Sequence, residues 1–125
     1  MFNKKQTAEI IDKLIELTQH NQIKWYKRPS PPVPPIIGPD YHVDIVYTVN
    51  HLGRNIRAYD QHFKQYLDEE RYFWDSQMVV EFTDDEGALL GRLPNTPNAY
   101  ELLRAIQFQN PEIKSFYEDL LRKQL

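Results

Sequence analysis

The chain has 125 residues, is 41% hydrophobic and 13% aromatic, and carries a formal net charge of −3. That length suits a single domain able to bury roughly two-thirds of its unfolded surface, and the mild acidity argues against both the basic footprint of a general nucleic-acid binder and the dense acidic face of a DNA mimic. With no cysteine in the chain, disulfides, thiolate zinc sites and cysteine nucleophiles are excluded.

The chain starts Met-Phe-Asn-Lys-Lys-Gln, with no apolar signal core after the lysines and no stretch of membrane-spanning length. The expectation is a cytoplasmic protein without a membrane partner. Residues 4–20 read as a helix: Ile10, Ile11, Leu14, Ile15 and Thr18 recur at three and four spacing, and charged residues take the other faces. Asn3 with Gln6 predicts a capping box, and Asn21 predicts a left-handed stop. Ile23 to Lys27 reads as a short strand.

Pro29, Pro31, Pro32, Pro34 and Pro35 come next, with Gly38 and Pro39 after them. Proline donates no backbone hydrogen bond, so this stretch should be extended polyproline II. Val43 to Val49 alternates cleanly, with Val43, Ile45, Tyr47 and Val49 on one face and His42, Asp44, Val46, Thr48 and Asn50 on the other. His51 to Arg54 supplies a turn.

Asn55 to Leu67 fits one face of a long strand and also a helical face. The strand is favoured by the residues after it: with Asp68 to Arg71 as a turn, Leu67 pairs with Tyr72, and Lys64 meets Asp75 as an opposite charge. The strand 71–83 runs to Asp84–Gly87, a hairpin turn, and Ala88 to Leu93 is the last strand. Thr96 is expected to cap a helix with Pro97 at its first position. Its stripe is Ala99, Leu102, Leu103 and Ile106. Asn110 and Pro111 repeat the device, and Ile113, Phe116, Tyr117, Leu120 and Leu121 form a second stripe. The predicted fold is one α+β domain over 1–125, with an antiparallel β-meander of 3–4 strands packed against an N-terminal helix and two C-terminal helices.

The run Leu14 to Trp25, the hairpin around Asp68 to Trp74, the segment Glu81 to Gly87 and the run Ala99 to Leu103 occur in an order that resembles a group of small bacterial helix/β-meander/helix proteins without assigned function. The resemblance implies a bacterial source. It brings no activity, cofactor or catalytic residue to carry over.

Among functional candidates, Arg28, Pro31 and Pro34 fit the Arg-x-x-Pro-x-x-Pro pattern of peptides that dock in aromatic grooves. A stiff crossover loop explains the same residues and is preferred. Tyr66, Leu67, Tyr72, Phe73 and Trp74 crowd the tip of the long hairpin. Alternation puts Tyr66 and Phe73 on one face, and Leu67, Tyr72 and Trp74 on the other. Only one face of a single-layer sheet can lie on helices, so some of these rings should be exposed, or covered by the proline loop.

The four histidines, His20, His42, His51 and His62, lack a second ligand pair at zinc spacing, and solvated polar positions are the preferred reading. The acidic groups Asp68-Glu69-Glu70 and Asp84-Asp85-Glu86 read as wet turn tips rather than tuned carboxylates or calcium ligands. Lys24 to Arg28 interleaves cations with rings, as single-strand binders do, but edge-strand lysines are the commoner cause. Ser30, Ser76 and Ser115 lie in no nucleophile elbow, and four glycines leave no phosphate-cradling loop. No cofactor or metal is expected.

The leading expectation is therefore a non-catalytic protein–protein interaction module, with an immunity or antitoxin-like inhibitor as its concrete form. Its partner-binding residues would be Tyr66, Glu69, Glu70, Tyr72, Phe73, Trp74 and Asp75. The rivals are a small enzyme using His62, Asp60 or Glu81 on the outer hairpin face, and a nucleic-acid accessory protein using Lys24 to Arg28. A homodimer through an uncovered strand edge or sheet face is compatible with each.

Overall fold

The structure is a computed structural model that describes residues 2–29, 40–43 and 45–122. Helix α1 (Lys4–Gln19) opens on the expected capping box: Gln6 N donates to Asn3 Oδ1 at 2.8 Å, and Asn3 N donates to Gln6 Oε1 at 3.0 Å. Two of the orphan N–H groups of the first turn are thereby satisfied. Asn21 takes φ 56 beyond the other end, the left-handed conformation that asparagine tolerates. The buried stripe is Thr7, Ile11, Leu14, Ile15 and Thr18, with Ile10 only partly covered.

The strand expected over 23–27 begins later, as β1 (Tyr26–Pro29). The reason is Gln109. Its Nε2 donates to Thr18 O at 3.0 Å and Ile23 O at 2.7 Å, and its Oε1 accepts from Trp25 N at 3.2 Å. The backbone of this segment is thus satisfied by a side chain instead of a ladder. Trp25 Nε1 donates to Thr18 Oγ1 at 3.0 Å and fixes the indole beside α1.

The remaining strands are β2 (Tyr41–His42), β3 (Ile45–His51), β4 (Arg54–Tyr66), β5 (Tyr72–Thr83) and β6 (Leu89–Arg92). All described pairs are antiparallel, in the order β1-β3-β4-β5-β6, with β2 paired to β4 beside β3. The sheet has six strands, more than the three or four expected, because the short β1 and β2 are separate ladder members. Residues 55–66 are strand, which removes the helical alternative.

Two registers differ from expectation. His42 pairs with His62 and Val46 with Tyr59, so four residues advance on one strand against three on the other. One extra residue changes the facing parity, as a bulge does. Val43 consequently joins Val46, Tyr59 and Val79 in a buried cluster on one face, while Tyr47 and Val49 lie on the other. In the long hairpin Tyr66, not Leu67, pairs with Tyr72, and Lys64 pairs with Trp74 instead of Asp75. Asp68 causes the shift: its Oδ1 accepts from Glu70 N and Arg71 N, both at 2.9 Å, and its Oδ2 from Arg71 Nε at 2.6 Å. Leu67 N donates to Arg71 O at 2.9 Å, which draws Leu67 into the loop. Those bonds also hold the Asp68 carboxyl below its ordinary pKa, the Glu70 N–H foremost.

Helices α2 (Ala99–Phe108) and α3 (Pro111–Arg122) come after the sheet. α2 starts two residues after the expected Pro97, because Thr96 is itself buried and its hydroxyl is bonded to the Asn98 side chain rather than to a helix N–H. Asn98 Nδ2 instead ties α2 to α1, donating to Ala8 O at 3.0 Å and Asp12 Oδ1 at 2.8 Å. The main core lies between these two helices and one sheet face, where Ile11, Leu14, Leu102 and Ile106 meet Ile56, Ala58, Met78 and Val80. α3 begins as expected, with Glu112 N donating to Asn110 Oδ1 at 3.0 Å. It does not pack against the sheet: none of its described residues is buried. The α+β class and the helix–sheet–helix order stand; the third helix lies outside the core.

Candidate functional site

β4 and β5 are 13 and 12 residues long, and both strands lose their burial toward the turn that joins them. Tyr100 on α2 lies at the level where this change begins: its hydroxyl lies 3.0 Å from Asp60 Oδ1 and 2.9 Å from Ser76 Oγ. Beyond that level the helix-side face continues as Tyr66, Tyr72 and Trp74, each about half exposed. Opposed residues in an antiparallel ladder share a face, so the register Tyr66↔Tyr72 and Lys64↔Trp74 gathers these rings. The rings of Tyr66 and Tyr72 stand 5.7 Å apart, and those of Tyr72 and Trp74 6.4 Å apart in an edge-on arrangement.

Polar groups hold the rings in place. Lys64 Nζ lies 4.3 Å from the centre of the Tyr72 ring and 5.6 Å from that of Trp74, a cation–π geometry. It also lies 4.0 Å from Asp40 Oδ1. Tyr66 Oη donates to Asp40 Oδ1 at 2.7 Å, and this bond keeps the phenol protonated above its ordinary range. The result is a ring surface that is ordered and still open to solvent.

Of the residues selected from the sequence, Tyr66, Tyr72 and Trp74 meet on this face, and Glu69 and Glu70 sit exposed in the turn above it. Phe73 and Asp75 face the other way: Tyr66 is expected from alternation to share a face with Phe73, and the one-residue register shift puts it with Tyr72 and Trp74 instead. Arg28 is exposed on β1, opposite Val46. Pro31 and Pro34 lie outside the described residues, so the proline motif does too. Lys64 and Asp40 are site residues that the sequence does not single out. The signal for Lys64 is legible only once Asp68 is read as closing the turn.

The enzyme alternative is divided between the two sheet faces. Asp60 and His62 share the helix-side face, with His62 Nε2 3.6 Å from Asp60 Oδ2 and the rings of His42 and His62 6.0 Å apart. Glu81 lies on the opposite face, buried, between Arg57 and Arg92. These three candidates therefore do not converge on one reacting atom. Among the described residues, no three His, Asp or Glu side chains gather as a metal site, and no helix is long and apolar enough to cross a membrane.

No protein-family model, curated protein or solved structure matches this chain.

Proposed function

We propose that the chain is a non-catalytic protein–protein interaction module that occludes a groove on its partner. The observation that carries this reading is the ring face of the long hairpin: Tyr66, Tyr72 and Trp74 are 50%, 46% and 50% exposed, yet held by Lys64 and Asp40. Ordered aromatics lose little side-chain entropy on binding and dominate interface energetics. Asp40, Asp68, Glu69, Glu70 and Asp75 outnumber Lys64 and Arg71 at this end of the molecule. That charge steers toward a basic partner. Sequestration of one such protein, in the manner of an immunity or antitoxin-like inhibitor, is the concrete form.

The test is capture of a partner from native lysate, then binding of the purified partner to the parent chain and to Tyr72→Ala/Trp74→Ala. Both rings are half exposed, so the variant should keep its fold, as near-UV circular dichroism will check. A loss of affinity of about a hundredfold is expected for two central aromatic anchors. Undiminished binding by a folded double variant removes the assignment. Glu69→Lys/Glu70→Lys should slow association and weaken its salt dependence while leaving dissociation nearly unchanged.

A further inference from the structure

A second surface, at the base of α3, has the opposite charge. The junction of α1, α2 and α3 forms an open groove of about 1060 Å³, with Phe108 and Ala105 as apolar lining. Lys24, Arg104 and Lys114 line it, all exposed, and among the described lining residues Glu101 is the single carboxylate. Among the described residues, none of the three cations forms an ion pair. Three cations with no ion pair among the described residues, in one groove of a chain with net charge −3, make a local potential suited to an anion.

The groove borders an apolar helix face that is left exposed, with none of the described residues of α3 buried. Ile113, Phe116, Tyr117, Leu120 and Leu121 are 46–67% exposed, and Phe108 meets Tyr117 edge-on at 6.0 Å, joining that stripe to the groove. A helix this short is marginal in water on its own and gains its stability from packing of the apolar face. The polar side of α3 carries Glu112, Glu118 and Asp119 against Lys114 and Arg122. It lacks the cationic excess of a helix that lies on anionic lipid.

From this juxtaposition we infer that α3 and the groove bind an acidic amphipathic helix of a partner protein. The partner's apolar stripe would cover Phe108, Tyr117 and Leu121, and its flanking carboxylates would face Lys24, Arg104 and Lys114. This is recognition of a helix in a groove with charges fixing the register. The surface is separate from the hairpin rings, so it stands whether or not those rings bind a protein.

The probe is a synthetic peptide of about four helical turns, with a Leu/Phe stripe flanked by glutamates, titrated into the full isotopically labelled chain. A second peptide carries lysines in place of the glutamates, and a single-stranded oligonucleotide serves as a plain polyanion. Expected are shifts confined to Lys24, Arg104, Phe108 and α3 with the acidic peptide, and weak or no binding of the basic one. Lys24→Glu/Arg104→Glu/Lys114→Glu, all surface changes, should lower affinity for the acidic peptide about tenfold or more and raise it for the basic peptide. The inference is overturned by any of four results: equal binding of both peptides, competition by the oligonucleotide at the same residues, no binding of the acidic peptide, or sedimentation showing that a second copy of the chain already covers α3.

Discussion

Arg57 Nε donates to Glu81 Oε1 at 2.7 Å between β4 and β5, and the two side chains are only 5% and 1% exposed. Arg92 closes the other side, its Nη2 2.8 Å from Glu81 Oε2, and Arg57 Nη1 donates to Gly87 O at 3.2 Å. A buried carboxylate flanked by two guanidiniums has its charge compensated, and removing it leaves Arg57 in a low-dielectric site. Glu81→Ala is therefore expected to cost about 3–5 kcal/mol in urea unfolding. Arg57→Met/Glu81→Met should cost much less, since the buried guanidinium that Glu81 faces is removed with it. If the single and double variants unfold at the same urea concentration, the pair is not acting as a unit.

Tyr59, fully buried beside this network, has its phenol pushed far above the ordinary range by burial first and by the Glu81 carboxylate second. Below the unfolded tyrosine pKa of about 10, folded and unfolded chains both hold the proton, and stability does not depend on it. Above it the unfolded chain releases a proton that the folded chain keeps, so stability falls as pH rises. Tyr66 and Tyr100, also raised, add the same sign. Unfolding free energy should thus fall as pH rises above about 10, and tyrosinate absorbance should show one ring ionising only on unfolding. Tyr59→Phe should flatten that slope.

The features legible in the sequence are those whose cause is local. Asn3 with Gln6, Asn21, and Asn110 with Pro111 act within one turn of chain, and each does what its residue type dictates. The hairpin register is different. Lys64 opposite Asp75 is a sound charge pair on paper, whereas the deciding bonds belong to Asp68, which is satisfied three times within its own loop. That single step determines which rings share a face, so alternation crowds Tyr66, Tyr72 and Trp74 at the hairpin tip without revealing that they stand together. The change of face at Val43 comes from an extra residue between two ladders, which alternation alone does not reveal either. For α3, periodicity identifies an apolar face and is silent about what covers it.

The turn between β3 and β4 offers a stabilising change. Leu52 and Gly53 form its loop with φ 53 and φ 75, the positive φ pair of a type I′ hairpin turn, for which Asn-Gly is the preferred sequence. Leucine is strained there, and the residue is 75% exposed, so it contributes little packing. Leu52→Asn should raise stability by roughly 0.5–1 kcal/mol, read as a higher thermal midpoint. Gly53→Ala has open space around it but keeps the positive φ, and should lower stability by about 1 kcal/mol.

Removing α3 separates its role from that of the core. None of its described residues is buried, whereas α1 and α2 each bury five. A chain ending at Asn110 should therefore unfold cooperatively within about 1–2 kcal/mol of the parent. Its urea m-value should be nearly unchanged, because m tracks the surface exposed on unfolding. In the intact chain, amide hydrogens of 114–122 should exchange fastest among the helices, near the rate of local fraying, while those facing Leu14 and Leu102 exchange through global unfolding. Protection of α3 equal to that of α2 in the free protein would mean that the apolar stripe is already covered, and addition of a true partner should raise α3 protection alone.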